Sequence, residues 1–194
     1  MPTFRPATPA DASDLAVLLD SAARRLVSWR WSTLAAPGES WFEVGRQRIL
    51  TLTDNQSHYA NWLIAEAAGR TVGALNAHAV PQAEGAPELD GVDPVFVPLV
   101  ELAALTGGTF YIMGLAIFAE ARGQGHGAAL LDQAAALARA AGLTRLTLIT
   151  ETFNTGARRL YLRHGFRDIA ERPFVPFPGS DEAGHWTLMA RDLA

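Results

Sequence analysis

The chain has 194 residues, which suits one domain burying roughly two thirds of the surface its unfolded chain exposes, so it can hold a core without covalent staples. Hydrophobic residues make up 49% and charged residues 19%, a balance that suits a globular protein better than a disordered one, and no long tail is read. The absence of cysteine rules out disulfide frameworks, thiolate zinc sites and a cysteine nucleophile; a net charge of -4 with scattered arginines leaves no stripe for nucleic acid.

Residues Met1 to Pro6 lack the apolar core of a secretory signal, and the best apolar run, Thr109 to Ala119, is too short to cross a bilayer. A cytoplasmic location with no membrane partner is the resulting expectation. Phe4-Arg5-Pro6 reads as an opening strand. In Thr8-Pro9-Ala10-Asp11, Thr8 can cap a helix, Pro9 suits its first position and Asp11 faces the helix dipole. Leu15, Leu18, Leu19, Ala22 and Leu26 then follow at helical spacing as one apolar stripe. Ser40-Trp41-Phe42-Glu43 has capping-box spacing and predicts a second helix from Trp41 to about Leu52.

Trp62 to Ala67 and Thr71 to Val80 read as strands joined by Ala68-Gly69-Arg70 in a hairpin. Residues 80–108 break the regularity with Pro81, Gly85, Pro87, Gly91, Pro94 and Pro98, and a helix-like piece lies around Leu99 to Leu105. This is an excursion from a single domain expected to span residues 1–194. Thr109 to Phe118 is a strand expected to be buried on both faces. After it come Arg122-Gly123-Gln124-Gly125-His126-Gly127-Ala128 and an alanine-rich helix striped by Leu130, Ala134, Leu137 and Ala141 and closed by Gly142. Leu143 to Thr150 predicts a strand, Asn154 caps a helix from Thr155 to His164, and Phe166 to Glu171 and Trp186 to Arg191 close the chain as strands. The fold class is therefore α/β (α+β), a mixed sheet with helices on its faces.

The turn Arg122 to Ala128 carries the chemistry. A helix start exposes unpaired amides and partial positive charge, glycines let the backbone approach closely, and Arg122 adds a fork of donors, which together suit a diphosphate. A glycine-rich turn without a ligand would have the same sequence, and Gly123-x-Gly125-x-x-Ala128 also fits the loose dinucleotide fingerprint of a nucleotide-dependent oxidoreductase, with Glu151 at the end of the next strand. Too little regular α/β sequence follows for a dinucleotide domain. No Gly-Lys pair occurs, which excludes a Walker-type loop.

The chain resembles the GNAT superfamily of acyl-CoA-dependent N-acetyltransferases. The resemblance rests on Arg122-x-x-Gly125-x-Gly127 between strand and helix and, further on, Asn154 followed by Ala157-x-x-Leu160-Tyr161-x-x-x-Gly165-Phe166. It implies a mostly antiparallel sheet with two splayed parallel strands in the middle, acetyl-CoA as co-substrate and direct transfer of the acetyl group to a primary amine. It further implies that Leu115, Ala116 and Ile117 offer backbone bonds to the pantetheine arm. Arg122, Gly123, Gln124, Gly125, His126, Gly127 and Ala128 would hold the pyrophosphate, Asn154 would touch the pantetheine, and Tyr161 would stand near the sulfur. A tyrosine, with an ordinary pKa near 10, can protonate a departing thiolate. Outside the motif Tyr161 reads more often as a packed aromatic, and within it as a site residue.

The resemblance also implies an acidic residue, present in many relatives, on the central strand four places before the position of Ile117, where this chain has Met113. A non-catalytic acyl-CoA sensor is thus a second reading. The general base is expected to be Glu101 in the excursion, with Glu151, His78 or a water held by Tyr111 as alternatives. Trp29, Trp31, Trp41 and Phe42 could line an acceptor pocket or simply pack. The five histidines make no metal-binding pair at helical spacing and no Gly-x-Ser-x-Gly elbow exists, so no metal is expected. A small-molecule amine or a peptide N-terminus is the expected acceptor, no nucleic acid is expected as a partner, and a homodimer is the commonest assembly of such domains.

Overall fold

The computed structural model describes residues 2–82 and 85–193; Met1, Ala83, Glu84 and Ala194 lie outside the described residues. The strands β1 (Thr3–Pro6), β2 (Trp62–Ala67), β3 (Arg70–Ala79), β4 (Phe110–Ile117), β5 (Arg145–Glu151), β6 (Arg167–Pro173) and β7 (His185–Asp192) form one mixed sheet in the order β1-β2-β3-β4-β5-β7-β6. Six α-helices accompany them among the described residues: α1 (Ala12–Ala22), α2 (Leu26–Ser32), α3 (Trp41–Thr51), α4 (Val97–Ala103), α5 (His126–Ala140) and α6 (Thr155–Arg163). None is long and apolar enough to cross a membrane. The chain divides into two compact units, one of Met1–Ala77 with Gly114–Leu130, the other of His78–Met113 with Leu131–Ala194.

In the first unit β1 and β2 run antiparallel, as do β2 and β3. The β2–β3 turn is the two-residue Ala68-Gly69, whose φ values of 50° and 72° match the twist of a hairpin; Arg70, read as part of the turn, already belongs to β3. The Thr8 backbone N–H and hydroxyl both donate to the Asp11 carboxylate, at 2.7 and 2.8 Å, and residues Pro9–Asp11 form a 3₁₀ turn before α1. Asp11 also accepts a two-pronged Arg5 fork at 2.8 Å on each oxygen, and Arg5 Nε reaches Glu66 at 2.8 Å, tying β1 to the start of α1 and to β2. Ser40 does close a capping box with Glu43 at the start of α3.

The expected stripe through Leu26 is interrupted. Leu15, Leu18 and Leu19 are buried, but α1 stops at Ala22 because Arg24 and Arg25 take left-handed φ values of 46° and 75°, and Leu26 is buried from the separate helix α2. Helices α1 and α2 both pack on α3. There Trp31 is 4% exposed and stacked on Trp41 with centroids 6.2 Å apart, while Phe42 meets Trp41 edge-on at 5.9 Å. A Cβ on Gly45 would collide with the Trp31 ring, so a glycine is what lets α3 approach. Trp31 thus packs α2 against α3 at Gly45 and Trp41.

In the second unit β5 pairs antiparallel with β7, and β7 with β6. The parallel pairing of β4 with β5 covers Phe110↔Leu146, Tyr111↔Thr147 and Ile112↔Leu148, and it stops there although β4 continues to Ile117 and β5 to Glu151. The excursion contains α4, which packs on β5, β6 and β7 and buries Leu102. Strand β4 alternates buried and half-buried positions along its length, where burial on both faces was expected. Helix α5 buries Leu130, Leu131, Ala134, Ala135 and Ala138, whereas Leu137 is 41% exposed and Ala141 is exposed. The expected stripe was therefore rotated about the helix. Alanines fill most of the spacing on every side of α5, which leaves periodicity little to discriminate. The turn after α5 does end as expected: Gly142 takes φ 72°, and Leu143 N–H bonds to the Ala138 carbonyl at 2.9 Å.

The Arg5 fork lowers the Asp11 carboxyl from 3.8 to about 2. A depressed carboxyl contributes stability above its unfolded value and loses it as pH falls through its folded value. The contribution of about 2 kcal/mol is therefore complete above 3.8 and gone below about 2. Urea unfolding should show Asp11→Asn less stable by about that amount at neutral pH and flatter in its pH dependence across this acid window.

Candidate functional site

In the first unit β4 ends at Ile117, a 3₁₀ turn spans Ala119–Ala121, and the chain then passes through Arg122–Gly125 into α5. Gly123 and Gly125 take φ values of +76° and +85°, which a side chain would resist. Nothing lies within 4 Å of where a Cβ would sit on either, so the turn is also open. The Gly125 carbonyl accepts the Ala129 N–H at 3.1 Å, which makes Gly125 the residue that launches α5. The first-turn amides of α5 have no carbonyl ahead of them in the helix and concentrate its positive end. Arg122 is exposed; its Nε donates to the Ile117 carbonyl at 3.1 Å and Nη2 to Ser21 Oγ at 3.3 Å. These bonds use two of the five guanidinium donors and pin the fork beside the turn. An open, positively polarised turn of this kind fits a diphosphate.

His126 differs from its neighbours in the motif. Its ring is buried at 7% exposure and both ring nitrogens are without a partner, so the group it can present at the helix start is its backbone N–H. Gln124 Nε2 folds back onto the Glu120 carbonyl at 3.2 Å. Along β4, Leu115 and Ile117 are half-buried while Ala116 is buried. Close packing with β3 holds this stretch: a Cβ on Gly73 would strike the Ala116 carbonyl and the Ile117 side chain, and one on Gly114 would lie 3.2 Å from the Trp62 ring.

In the second unit Asn154 caps α6 through Oδ1, which accepts the Ala157 N–H at 3.4 Å, while its Nδ2 donates to Glu151 Oε2 at 3.4 Å. Both ends of the Asn154 side chain thus serve the local turn. Glu151, 2% exposed, also accepts from Thr150 Oγ1 at 3.4 Å. Tyr161 follows two turns later, 7% exposed. Its phenol is pushed well above its ordinary range, first by burial and then by the Glu151 carboxylate, so it stays protonated.

The rest of the second motif is a helix stop. Gly165 has φ +81°, its N–H bonds to the Leu162 carbonyl at 3.1 Å, the Phe166 N–H bonds to the Tyr161 carbonyl at 3.1 Å, and the Tyr161 and Phe166 rings meet at 5.8 Å. This is the double-bonded left-handed cap with its hydrophobic contact, and it fixes where the phenol stands. Arg158 on the same helix forks onto Asp168 at 2.8 and 2.9 Å, fastening α6 to β6.

Glu101 on α4 accepts from Arg172 Nε at 2.6 Å, so protonating its carboxylate would sacrifice a charge-assisted contact. His78 and Tyr111 meet edge-on at 5.8 Å. Sequence reasoning named these two separately, and no periodic signal pairs residues on different strands. A cleft of about 420 Å³ at the start of α3 is lined by Gly38, Glu39, Glu43, Arg46 and Gln47, but Glu43 serves the cap and Glu39 accepts the Ala36 N–H at 3.1 Å. Among the described residues no cluster of His, Asp or Glu could hold a metal ion.

The model of the acetyltransferase (GNAT) family matches residues 23–166. No curated protein matches the chain. Among solved structures the fold is similar to an N-acetyltransferase from Staphylococcus aureus Mu50, at TM-score 0.64 and 16% identity over 97% of this chain and 99% of that one. It is also similar to Ard1 from Thermoplasma volcanium, at TM-score 0.61 and 18% identity over 100% and 98% of the two chains. A GNAT-family acetyltransferase from Streptococcus pneumoniae follows at TM-score 0.59 and 20% identity, over 100% of both.

Gly73→Ala should force β3 away from Ala116 and Ile117 and cost about 1–3 kcal/mol, read as a lowered thermal midpoint.

Proposed function

Because the chain belongs to the acetyltransferase (GNAT) family, we propose that it transfers an acetyl group from acetyl-CoA directly to the primary amine of a small molecule or a peptide N-terminus. The observation that carries this reading is the open left-handed turn at Gly123 and Gly125 leading into α5 beside a pinned Arg122. In this reading the turn residues Arg122 to Ala128 hold the pyrophosphate, His126 through its backbone. Leu115, Ala116 and Ile117 supply backbone bonds to the pantetheine arm, and an amide near Ile117 stabilises the oxyanion. Asn154 acts chiefly by capping the helix that carries Tyr161.

The amine lone pair attacks the thioester carbonyl, the C–N bond forms and the C–S bond breaks with its electrons on sulfur. Tyr161, held protonated by burial and by Glu151, gives its proton to that thiolate. The proton lost by the attacking nitrogen restores the phenol, so no net proton is consumed. With no cysteine to carry the acetyl group, a ternary complex is the route.

Met113, at the strand position where relatives carry a carboxylate, favours a second reading in which the domain binds acyl-CoA without transferring it. Thiol release across a broad panel of amines separates the two. Calorimetric titration with CoA should show Arg122→Ala binding roughly 10- to 100-fold more weakly, and an unchanged affinity would remove Arg122 from the cradle. Tyr161→Phe should keep CoA affinity while kcat falls at least about 100-fold; a parent-like rate would dismiss the phenol as the acid.

A further inference from the structure

Two arginines stand where a helix end favours glycine. After α1 the Arg24 N–H bonds to the Ser21 carbonyl at 3.4 Å and the Arg25 N–H to the Asp20 carbonyl at 3.1 Å, the two bonds of a left-handed helix stop. Arg24 and Arg25 take φ values of 46° and 75°. Glycine fills such positions without strain, as Gly165 does after α6, whereas an L-residue is disfavoured there. Strain held at two consecutive positions points to a use for the side chains, and both belong to exposed arginines.

The same junction touches the glycine turn. Ser21, whose carbonyl receives the Arg24 N–H, also accepts from Arg122 Nη2 through its Oγ at 3.3 Å. Asp20 is engaged locally, its Oδ1 taking the Ser28 N–H at 2.8 Å, and among the described residues Arg25 forms no ion pair. Resting on the diphosphate cradle described above, we infer that Arg24 and Arg25 join Arg122 in one anion site that holds phosphoryl groups of the ligand at the turn. Each guanidinium can give a phosphate two parallel N–H donors, and unlike an ammonium it keeps that fork rigid. The phosphoryl groups come from the diphosphate itself or from the 3′-phosphate at the nucleotide end of CoA. An arginine at a helix end can also serve only the partial negative charge of the last carbonyls, a role that stabilises the fold and leaves ligand binding alone.

The test is calorimetric titration with CoA and with 3′-dephospho-CoA, at low and moderate salt, of the parent, Arg24→Gly, Arg25→Gly and the double variant, each with its thermal midpoint. Glycine relieves the left-handed strain, so the midpoints should hold or rise. CoA should bind roughly 3- to 10-fold more weakly to each single variant and about 10- to 100-fold more weakly to the double variant, with the deficit shrinking as salt rises. A loss confined to CoA assigns the pair to the 3′-phosphate, and an equal loss with 3′-dephospho-CoA assigns it to the diphosphate; both support the site. Arg24→Asn and Arg25→Asn, which tolerate the same φ, repeat the measurement should a glycine variant fail to fold. Parent-like CoA affinity in the double variant, with Arg122→Ala still weakened, overturns the three-arginine site alone. So does a lowered midpoint with parent-like binding, which leaves the pair serving the helix end. A parent chain that binds no CoA overturns the cradle and this site together.

Discussion

The strand-to-helix turn at Gly123 and Gly125 is the constraint on which the candidate site depends. A chain leaving β4 must reverse within a few residues and enter α5 with its first amides unobstructed, and it does so through φ values of +76° and +85°. For an L-residue that region costs roughly 1–2 kcal/mol at each position, so glycine resolves a steric problem and an access problem at once. Arg122 is then held at the mouth of the turn by the Ile117 carbonyl and Ser21, which limits how far its fork can wander.

A second left-handed glycine does comparable work in the other unit. Gly165 stops α6 and sends Phe166 back onto Tyr161, so a pattern read for chemistry is first a device for ending a helix. The contact that caps the helix also sets the phenol's position, while Asn154 and Glu151 brace the helix start and keep a negative charge near the hydroxyl. Arg158 and Asp168 fasten the same helix to β6.

Much of this was legible before any coordinates. Turn chemistry is local: Ser40 with Glu43, Gly142 and Gly165 each state their backbone conformation within a few residues and the structure places them as expected, while the hairpin turn is one residue shorter than read. Where several local solutions compete, the reading slipped. The Asp11 carboxylate of the Thr8 capping box also holds the Arg5 fork, whose other partner is Glu66 on β2, and a window around Thr8 does not contain β2. The core stripe of α5 was misplaced because alanine tolerates either face, and Arg24-Arg25 broke a run whose spacing still looked helical.

The sequence by itself determined the order of most elements, the positions that must be glycine and the two motifs that identify the family, because backbone strain and cap chemistry act over a handful of neighbours. Only the tertiary structure decided which polar side chains are already committed. Glu101 is tied to Arg172, seventy-one residues away, His126 turns its ring inward, and His78 stands beside Tyr111 with a buried nitrogen unpaired. Those outcomes depend on strands and helices distant in the chain meeting in space, and a side chain's availability for chemistry is set by such meetings and not by its neighbours in sequence.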